Sequence, residues 1–304
     1  MLSNLCKDYI INLQKENVFF DEPMKNHTSF RIGGPADVFI EPESPEKFCE
    51  LISFLKKESV PFFVMGAGSN LLVGDKGIRG VVIKTGKGFD NITKKDNIIT
   101  AGSGVTLVKL ANFAAANSLS GLEFAGGIPG LVGGAVYMNA GAYGGEMKDV
   151  VISTTYLDAN GNIKELKDSE HKFVYRGSAF TDGDKYILSA KIKLKDAPEE
   201  EIKAVMKDLN ARRREKQPLE YPSAGSTFKR PEGYFAAKLI EDAGLKGASV
   251  GGAAVSEKHS GFVINQTGDA TASDVCALID KIKETVFKQF GVELCCEVKM
   301  IGEF

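Results

Sequence analysis

GLEFAGGIPGLVGGAVYMNAGAYGG, residues 121–145, is the stretch that decides how the rest of the chain is read. Nine of its 25 positions are glycine, a composition that loses much backbone entropy on folding and has little side chain to pack. A loop whose backbone approaches a ligand closely offsets such a loss. Successive bare N–H groups form anion-binding nests suited to a pyrophosphate. The stretch also carries Phe124, Ile128, Leu131, Val132, Val136, Tyr137 and Met138, so it is a structured, half-buried loop and not a flexible linker. It indicates a nucleotide-type cofactor; the alternative is a loop packed for its own sake in a glycine-tolerant fold.

A second glycine cluster follows the buried-strand pattern Phe62-Phe63-Val64-Met65: Gly66-Ala67-Gly68-Ser69-Asn70, then the apolar Leu71-Leu72-Val73. A Rossmann turn needs Gly-x-Gly-x-x-Gly opening a helix. Here Leu71 stands at the third glycine and a short apolar run replaces the helix. Gly86-Lys87 is followed by Gly88, which excludes a Walker A loop. What remains is a phosphate cradle of loop backbone, with Ser69 and Asn70 adding side-chain hydrogen bonds.

The chain has 304 residues, room for two or three structural pieces. Its 43% hydrophobic and 26% charged residues are ordinary for a globular protein, and a net charge of −2 argues against nucleic-acid binding. No apolar stretch is long enough to span a bilayer, and the N-terminal run is an amphipathic helix rather than a signal peptide. A cytoplasmic protein without membrane association is expected. Cys6, Cys49, Cys276, Cys295 and Cys296 form no Cys-x-x-Cys pair, which suits a reducing compartment. His27, His171 and His259 are too scattered for metal-ligand spacing, so no metal is expected.

Around these loops the pattern is α+β. Ser44 and Pro45 start a helix with Phe48, Leu51, Ile52 and Leu55 on one face. Strands are expected at 62–65, 81–84 and 97–101, and a helix over 106–117. From 150 the texture turns to β: a hairpin of 150–157 and 163–166 about Asn160-Gly161, then a strand over 186–194. A helix from about 199 has Glu199-Glu200-Glu201 at its start and Arg212-Arg213-Arg214 near its end, matching the helix dipole. Its expected stripe is Ile202, Val205, Met206 and Leu209, and Pro218 stops it. Strands near 250–255 and 260–265, a helix over about 272–290 with Val275, Leu278, Ile279, Ile282, Val286 and Phe290 as its stripe and Gly291 as its end, and a strand over 298–301 complete the chain.

Three further polar spots are candidate sites: Tyr175-Arg176, Ser226 within Pro222-Ser223-Ala224-Gly225-Ser226-Thr227-Phe228, and Glu297. Each also has a plainer role: Arg176 as a surface turn residue, Ser226 bonding its own turn, Glu297 on the solvent face of an edge strand. The Arg212–Lys216 cluster fits either a helix C-terminus or a phosphate contact. Spacing alone supports no Ser-His-Asp or Cys-His arrangement.

Taken in order, these motifs resemble the MurB family of UDP-N-acetylenolpyruvoylglucosamine reductases, flavoenzymes of peptidoglycan precursor synthesis. The resemblance runs through Asn26-His27-Thr28-Ser29-Phe30-Arg31-Ile32-Gly33-Gly34-Pro35-Ala36, Gly66–Leu72, Gly126-Gly127-Ile128-Pro129-Gly130 and Gly133-Gly134-Ala135. It continues with Met138-Asn139-Ala140-Gly141-Ala142-Tyr143-Gly144, Tyr175-Arg176, Arg213 to Pro218, Pro222–Phe228 and Gly261-Phe262 to Asn265.

The resemblance implies an FAD-binding fold of the vanillyl-alcohol-oxidase (PCMH) type. Two FAD-binding subdomains, 1–85 and 86–197, would precede an α/β substrate-binding domain, 198–304. The direct run through 230–270 leaves no room for a tyrosine-bearing lid loop, so the shorter subtype of the family is expected. FAD would be held non-covalently by Gly66, Ala67, Gly68, Ser69, Asn70, Leu71, Gly126, Gly127, Ile128, Pro129, Gly130, Gly133, Gly134, Asn139 and Ala140. NADPH is the implied co-substrate, a UDP-sugar enolpyruvyl ether the substrate, and a monomer the implied state. Ser226 matches the proton donor, Arg176 the residue that balances carboxylate charge, and Glu297 the third catalytic residue. An ionised carboxylate beside a developing dianion would oppose the reaction, so Glu297 is expected to act protonated. Tyr175, Arg213, Lys216 and Asn265 are the implied substrate contacts. Cys295-Cys296 stands where the family commonly has Glu-Pro, and two buried small residues are expected there. An FAD-dependent sugar or lactone oxidase of the same superfamily, and a non-catalytic flavin- or UDP-sugar-binding regulator, are the alternatives.

Overall fold

The computed structural model describes residues 2–181 and 183–304. Seven α-helices are described: α1 (Asn4–Gln14), α2 (Pro45–Lys57), α3 (Leu107–Ala116), α4 (Val132–Met138), α5 (Glu199–Lys216), α6 (Ala236–Asp242) and α7 (Ala272–Phe290). The chain divides into two compact units. One contains the chain up to Phe19 with Phe39–Ala67 and Gly80–Arg213; the other contains Phe20–Val38, Gly68–Arg79 and Arg214–Phe304.

In the first unit a five-stranded antiparallel sheet runs in the order Ile163–Lys167, Val151–Leu157, Tyr186–Lys193, Ile98–Gly102, Ile92–Lys95. Its registers pair Thr154 with Ala190 and Ala190 with Ala101. Alternation along these strands turns Ile99, Ala101, Ala190 and Ile192 inward, where Leu107 and Leu110 of α3 and Val132 and Val136 of α4 cover them. Phe62–Met65 lies parallel to Val81–Lys84. α2 begins as its sequence requires: the Ser44 hydroxyl accepts from the Lys47 N–H, Pro45 is its first residue, and Phe48, Leu51, Ile52 and Leu55 are buried.

The second unit has a three-stranded antiparallel sheet of Ser249–Val250, Ala253–Val255 and Val263–Asn265. α7 supplies its core with Val275, Leu278, Ile279, Ile282 and Val286. A Thr271/Asp274 capping box opens this helix and Gly291, in the left-handed region at φ 68°, closes it. The Asp75 carboxylate reinforces the start, accepting from the Ala272 and Ser273 N–H groups at 2.7 and 2.9 Å. Leu71–Val73 runs parallel to Lys299–Ile301. The short run after the glycine cluster is therefore a strand, held by the end of the chain.

Three expectations need correction. The 121–145 segment is not all loop: it holds a 3-10 turn, Glu123–Gly127, and the helix α4. The buried face of α5 is Ile202, Met206 and Arg213, because Val205 points outward. Phe290, at the end of the α7 stripe, is exposed.

Candidate active site

In the second unit, Thr227 is the hub. Its N–H donates to the Gly261 carbonyl at 2.9 Å, and its own carbonyl accepts the Glu297 N–H at 2.8 Å. With that carbonyl turned to Glu297, the Thr227 hydroxyl takes the Val263 N–H at 2.9 Å. One residue further on, Phe228 bridges antiparallel to Cys296, and the Lys229 N–H donates to the Cys295 carbonyl at 2.8 Å. Ser226 thus lies on an irregular segment that bends at Thr227 and is flanked by 295–297 on one side and 261–263 on the other. Its turn is closed by the Ser223 hydroxyl, which accepts from the Gly225 N–H.

The first glycine cluster reaches the same place. Asn70 donates from Nδ2 to the Glu297 carbonyl at 3.1 Å, and its carbonyl accepts the Lys299 N–H at 3.0 Å. Gly68, with φ at 67°, is buried, and its carbonyl accepts the Ser29 N–H. Gly68, Ser69, Asn70, Leu71, Ser226 and Glu297 are thereby brought together. Asn265 is not an open contact: its side chain is 1% exposed, donating to the Phe30 carbonyl and accepting from the Gly268 and Ala270 N–H groups. Its place in the fold is that of a brace. Lys216 is exposed. Cys295 is exposed and Cys296 half-buried, so the pair is not two buried small residues.

In the first unit, Tyr175 and Arg176 occupy a two-residue turn between Val174 and Gly177, whose backbones exchange hydrogen bonds at 3.0 and 3.2 Å. Arg176 takes the left-handed conformation at φ 57°, unusual for a long side chain, and its guanidinium lies over the Tyr175 ring at 5.0 Å. This turn is tied to the long glycine segment. The Ser178 hydroxyl donates to the Tyr137 carbonyl, and Asn139 donates to the Val174 carbonyl at 3.1 Å. Asn139, fully buried at the C-cap of α4, also donates to Glu146 and accepts the Lys148 N–H at 2.9 Å. Its side chain therefore braces the Arg176 turn rather than presenting itself to a cofactor.

The long segment treats its glycines in two ways. A Cβ on Gly126 would meet Met206 Cε at 2.8 Å, and one on Gly133 would meet Ser103 Cβ at 2.9 Å. Gly127 lies against Asn210 and Arg213 of α5. These glycines allow close packing. Gly134, exposed at the start of α4, has nothing within 4 Å of such a Cβ. Gly66 makes only ordinary contact with Leu131; after the 3-10 turn, Ile128 is half-buried against the core and Pro129 is exposed.

Two further groups favour an anionic, polar ligand. Burial pushes the Arg213 guanidinium below its usual range, with the hydrogen-bonded Tyr143 opposing. Its neighbour Arg212 pairs with Asp208 at 2.8 Å, but Arg213 makes no carboxylate pair among the described residues. The Ser103 hydroxyl is buried without a partner among them, beside Gly133. A nucleotide-type cofactor fits these donors and the open face at Gly134. Ser103 and the bracing roles of Thr227 and Asn139 do not show in the sequence; the small-residue run Gly102-Ser103-Gly104 is the one local signal at the first.

Among the described residues no helix is long and apolar enough to cross a membrane, and no cluster of His, Cys, Asp and Glu is suited to a metal ion.

Residues 36–167 match the family model of an FAD binding domain, and residues 217–301 that of the UDP-N-acetylenolpyruvoylglucosamine reductase C-terminal domain. The chain is 58% identical over 316 residues to the UDP-N-acetylenolpyruvoylglucosamine reductase of Agathobacter rectalis, with 100% of each covered. It is 55% identical over 303 residues to that of Caldanaerobacter subterraneus, covering 99% of this chain and 100% of the relative. The crystal structure of UDP-N-acetylenolpyruvylglucosamine reductase (MurB) from Thermus caldophilus aligns with a TM-score of 0.80 at 35% identity, over 93% of this chain and 97% of that one. With a flavin-binding half and a reductase-specific half both matched, the chain belongs to the UDP-N-acetylenolpyruvoylglucosamine reductase family of FAD-dependent oxidoreductases.

Proposed function

We propose that this chain reduces UDP-N-acetylglucosamine enolpyruvate to UDP-N-acetylmuramate, with NADPH as electron source and FAD held non-covalently. When bound, FAD supplies hydride to the terminal alkene carbon of the substrate. Ser226 then gives a proton to the α-carbon. A serine hydroxyl is a weak acid near pH 7, so its contribution depends on a strongly basic enolate and on accurate placement. Arg176 balances the charge growing on the substrate carboxylate, as preorganised electrostatics require. Glu297 acts in its protonated form, donating a hydrogen bond where an ionised group would repel the developing dianion. Lys216 and Arg213 hold the diphosphate, and Tyr175 lines the substrate side. The backbones of Gly66–Leu71, Gly126–Gly130, Gly133–Gly134 and Asn139–Ala140 line the cofactor. Asn265 and the Asn139 side chain act from behind, bracing the segments that carry these groups.

The observation that supports this most is the hydrogen-bonded ladder carrying Ser226 beside Glu297 and the Gly68–Asn70 loop. An oxidase of the same superfamily would share the glycine loops without needing this pairing, and a regulator would need no proton donor. Two FAD-binding subdomains, 1–85 and 86–197, and a substrate-binding domain, 198–304, remain our proposed division. A cytoplasmic monomer is proposed, since NADPH and nucleotide sugars are cytoplasmic metabolites.

Anaerobic rapid mixing tests the assignment. NADPH should bleach the flavin of wild type and Ser226→Ala alike, and the enolpyruvyl substrate should restore the wild-type colour. Restoration in Ser226→Ala should slow by about 100-fold or more, the scale of a lost general acid. Normal restoration in the variant refutes the role of Ser226. Colour that returns only with oxygen refutes the reductase assignment.

A further inference from the structure

We infer that His259 is a positioning residue for Ser226, acting through Gly261; this rests on the proposed role of Ser226 as proton donor. The Gly261 N–H donates to His259 Nδ1 at 3.1 Å, and the Gly261 carbonyl accepts the Thr227 N–H at 2.9 Å. Two hydrogen bonds therefore connect the imidazole to the residue next to Ser226. The turn has little slack: a Cβ on Gly261 would stand 3.0 Å from His259 Cε1 and 3.3 Å from Ala237 Cβ. The imidazole meets the Phe262 ring edge-on at 4.9 Å, and the Ser256 hydroxyl accepts the N–H groups of Lys258 and His259. Ring and turn are thus held together.

An Nδ1 that accepts a hydrogen bond must be unprotonated, so the neutral ring carries its proton on Nε2. Protonation puts a donor against the Gly261 donor, and the turn must open. Gly261 then shifts, taking with it the carbonyl that fixes Thr227. Among the described residues the charged group that acts on the ring is Glu241 of α6, which favours the cation; the adjacent Lys258 is turned to Glu220, at 3.5 Å. Burial outweighs both a hydrogen bond to the residue's own backbone and Glu241, each of which favours the cation, and holds the imidazole below its usual range. The ring is neutral, and the turn closed, at neutral pH.

The test uses the flavin-loaded enzyme, with NADPH reduction and substrate reoxidation followed separately from about pH 5 to 8, the range of imidazole titration. His259→Asn keeps an acceptor near Nδ1 but does not titrate; His259→Leu has no acceptor. Reduction by NADPH should stay at the wild-type rate in both. Reoxidation should fall about 10- to 100-fold in His259→Leu, the scale of a small misplacement, and return to near wild type in His259→Asn. The wild type should lose reoxidation rate on the acid side, and His259→Asn should not. Wild-type reoxidation in His259→Leu, or equal impairment of the two variants, overturns the inference. If His259→Leu fails to hold flavin, the acid limb decides alone: its persistence in His259→Asn overturns the inference. Normal reoxidation in Ser226→Ala instead removes the role of Ser226, whatever His259 does.

Discussion

Adjacent glycines in α4 separate a packing constraint from a ligand constraint. Gly133 is buried, and a Cβ there would lie 2.9 Å from Ser103 Cβ and 3.3 Å from the Ser103 carbonyl oxygen. Gly134 is exposed, and a Cβ there would meet nothing within 4 Å. Replacing a helical glycine with alanine stabilises by up to about 1 kcal/mol. At Gly133, overpacking against Ser103 costs about 1–3 kcal/mol. Gly133→Ala should therefore range from about neutral to a net loss of about 2.5 kcal/mol. At Gly134 only the gain applies, so Gly134→Ala should make the flavin-free protein more stable by up to about 1 kcal/mol. If a cofactor fills the space beside Gly134, the added methyl should weaken FAD binding by at least about tenfold, or about 1.4 kcal/mol.

The assay is urea denaturation of flavin-stripped wild type and both variants, with FAD titrated into each and followed by fluorescence quenching. A Gly134→Ala protein that is more stable when empty but holds FAD poorly supports a close cofactor approach. Wild-type FAD affinity in that variant refutes the approach, and a loss of stability when empty refutes the open space. Gly133→Ala serves as the contrast, since any defect there should appear with or without FAD.

Asn139→Asp should keep the left-handed cap but lose both donated bonds and place a carboxylate against Glu146. We expect a stability loss of about 1–3 kcal/mol in denaturant and slower flavin reoxidation as the Arg176 turn loosens. Thr227→Val should strand the buried Val263 N–H at a cost of about 1–3 kcal/mol, whereas Thr227→Ser keeps its acceptor. A serine variant less stable than the valine variant would show that the methyl, not the hydroxyl, matters. For Asp75, burial opposes ionisation, but bonds from the Ser273 side chain and the Ala272 and Ser273 N–H groups win and hold the carboxyl below its usual range. A depressed carboxyl stabilises the fold above its unfolded value of about 3.9, and the benefit is lost as pH falls through the folded value. Asp75→Ala should thus cost about 1 kcal/mol at neutral pH, with the gap to wild type closing as melting is repeated toward about pH 3.

The elements legible in the sequence are those whose signals are local. The pattern predicts α7 over about 272–290 and it runs Ala272–Phe290, because an apolar stripe ends at the Gly291 stop; the Thr271 cap at its start is seen in the structure. The strand Phe62–Met65 was equally plain as a short apolar run before glycines. α4 was hidden because Gly133 and Gly134 lower its helix propensity. Tertiary bonds hold its first turn instead, with the Val132 and Gly133 N–H groups donating to the Val105 and Ser103 carbonyls at 2.9 Å. α6 has seven residues, too few for periodicity to register. Charge pattern leaves Arg213 as either part of a helix C-terminus or a phosphate contact, and does not show that it is the third buried residue of α5. Only the facing glycine segment explains why that side of the helix is covered.

The site divides along the same line. Ser226, Arg176 and Glu297 stand out by residue type within recognisable motifs, because proton transfer and charge balance need specific groups. The residues that aim them do so through bonds to distant backbone, and no local pattern records this. Thr227 shows why. Regular pairing with 261–263 would bring the Thr227 carbonyl to the Val263 N–H, but the chain bends at Thr227 and that carbonyl goes to Glu297 of the segment on its other side. The hydroxyl then completes the ladder to Val263, 36 residues away. A threonine in a strand usually signals only β-propensity. Here its two oxygens set the distance between a candidate proton donor and a candidate acid. The same holds for Asn139, whose amide spans 35 residues to Val174 and fixes the turn that bears Arg176. Substitutions at these braces should change the rate of reoxidation more than they change the residues in contact with substrate, which separates aim from chemistry.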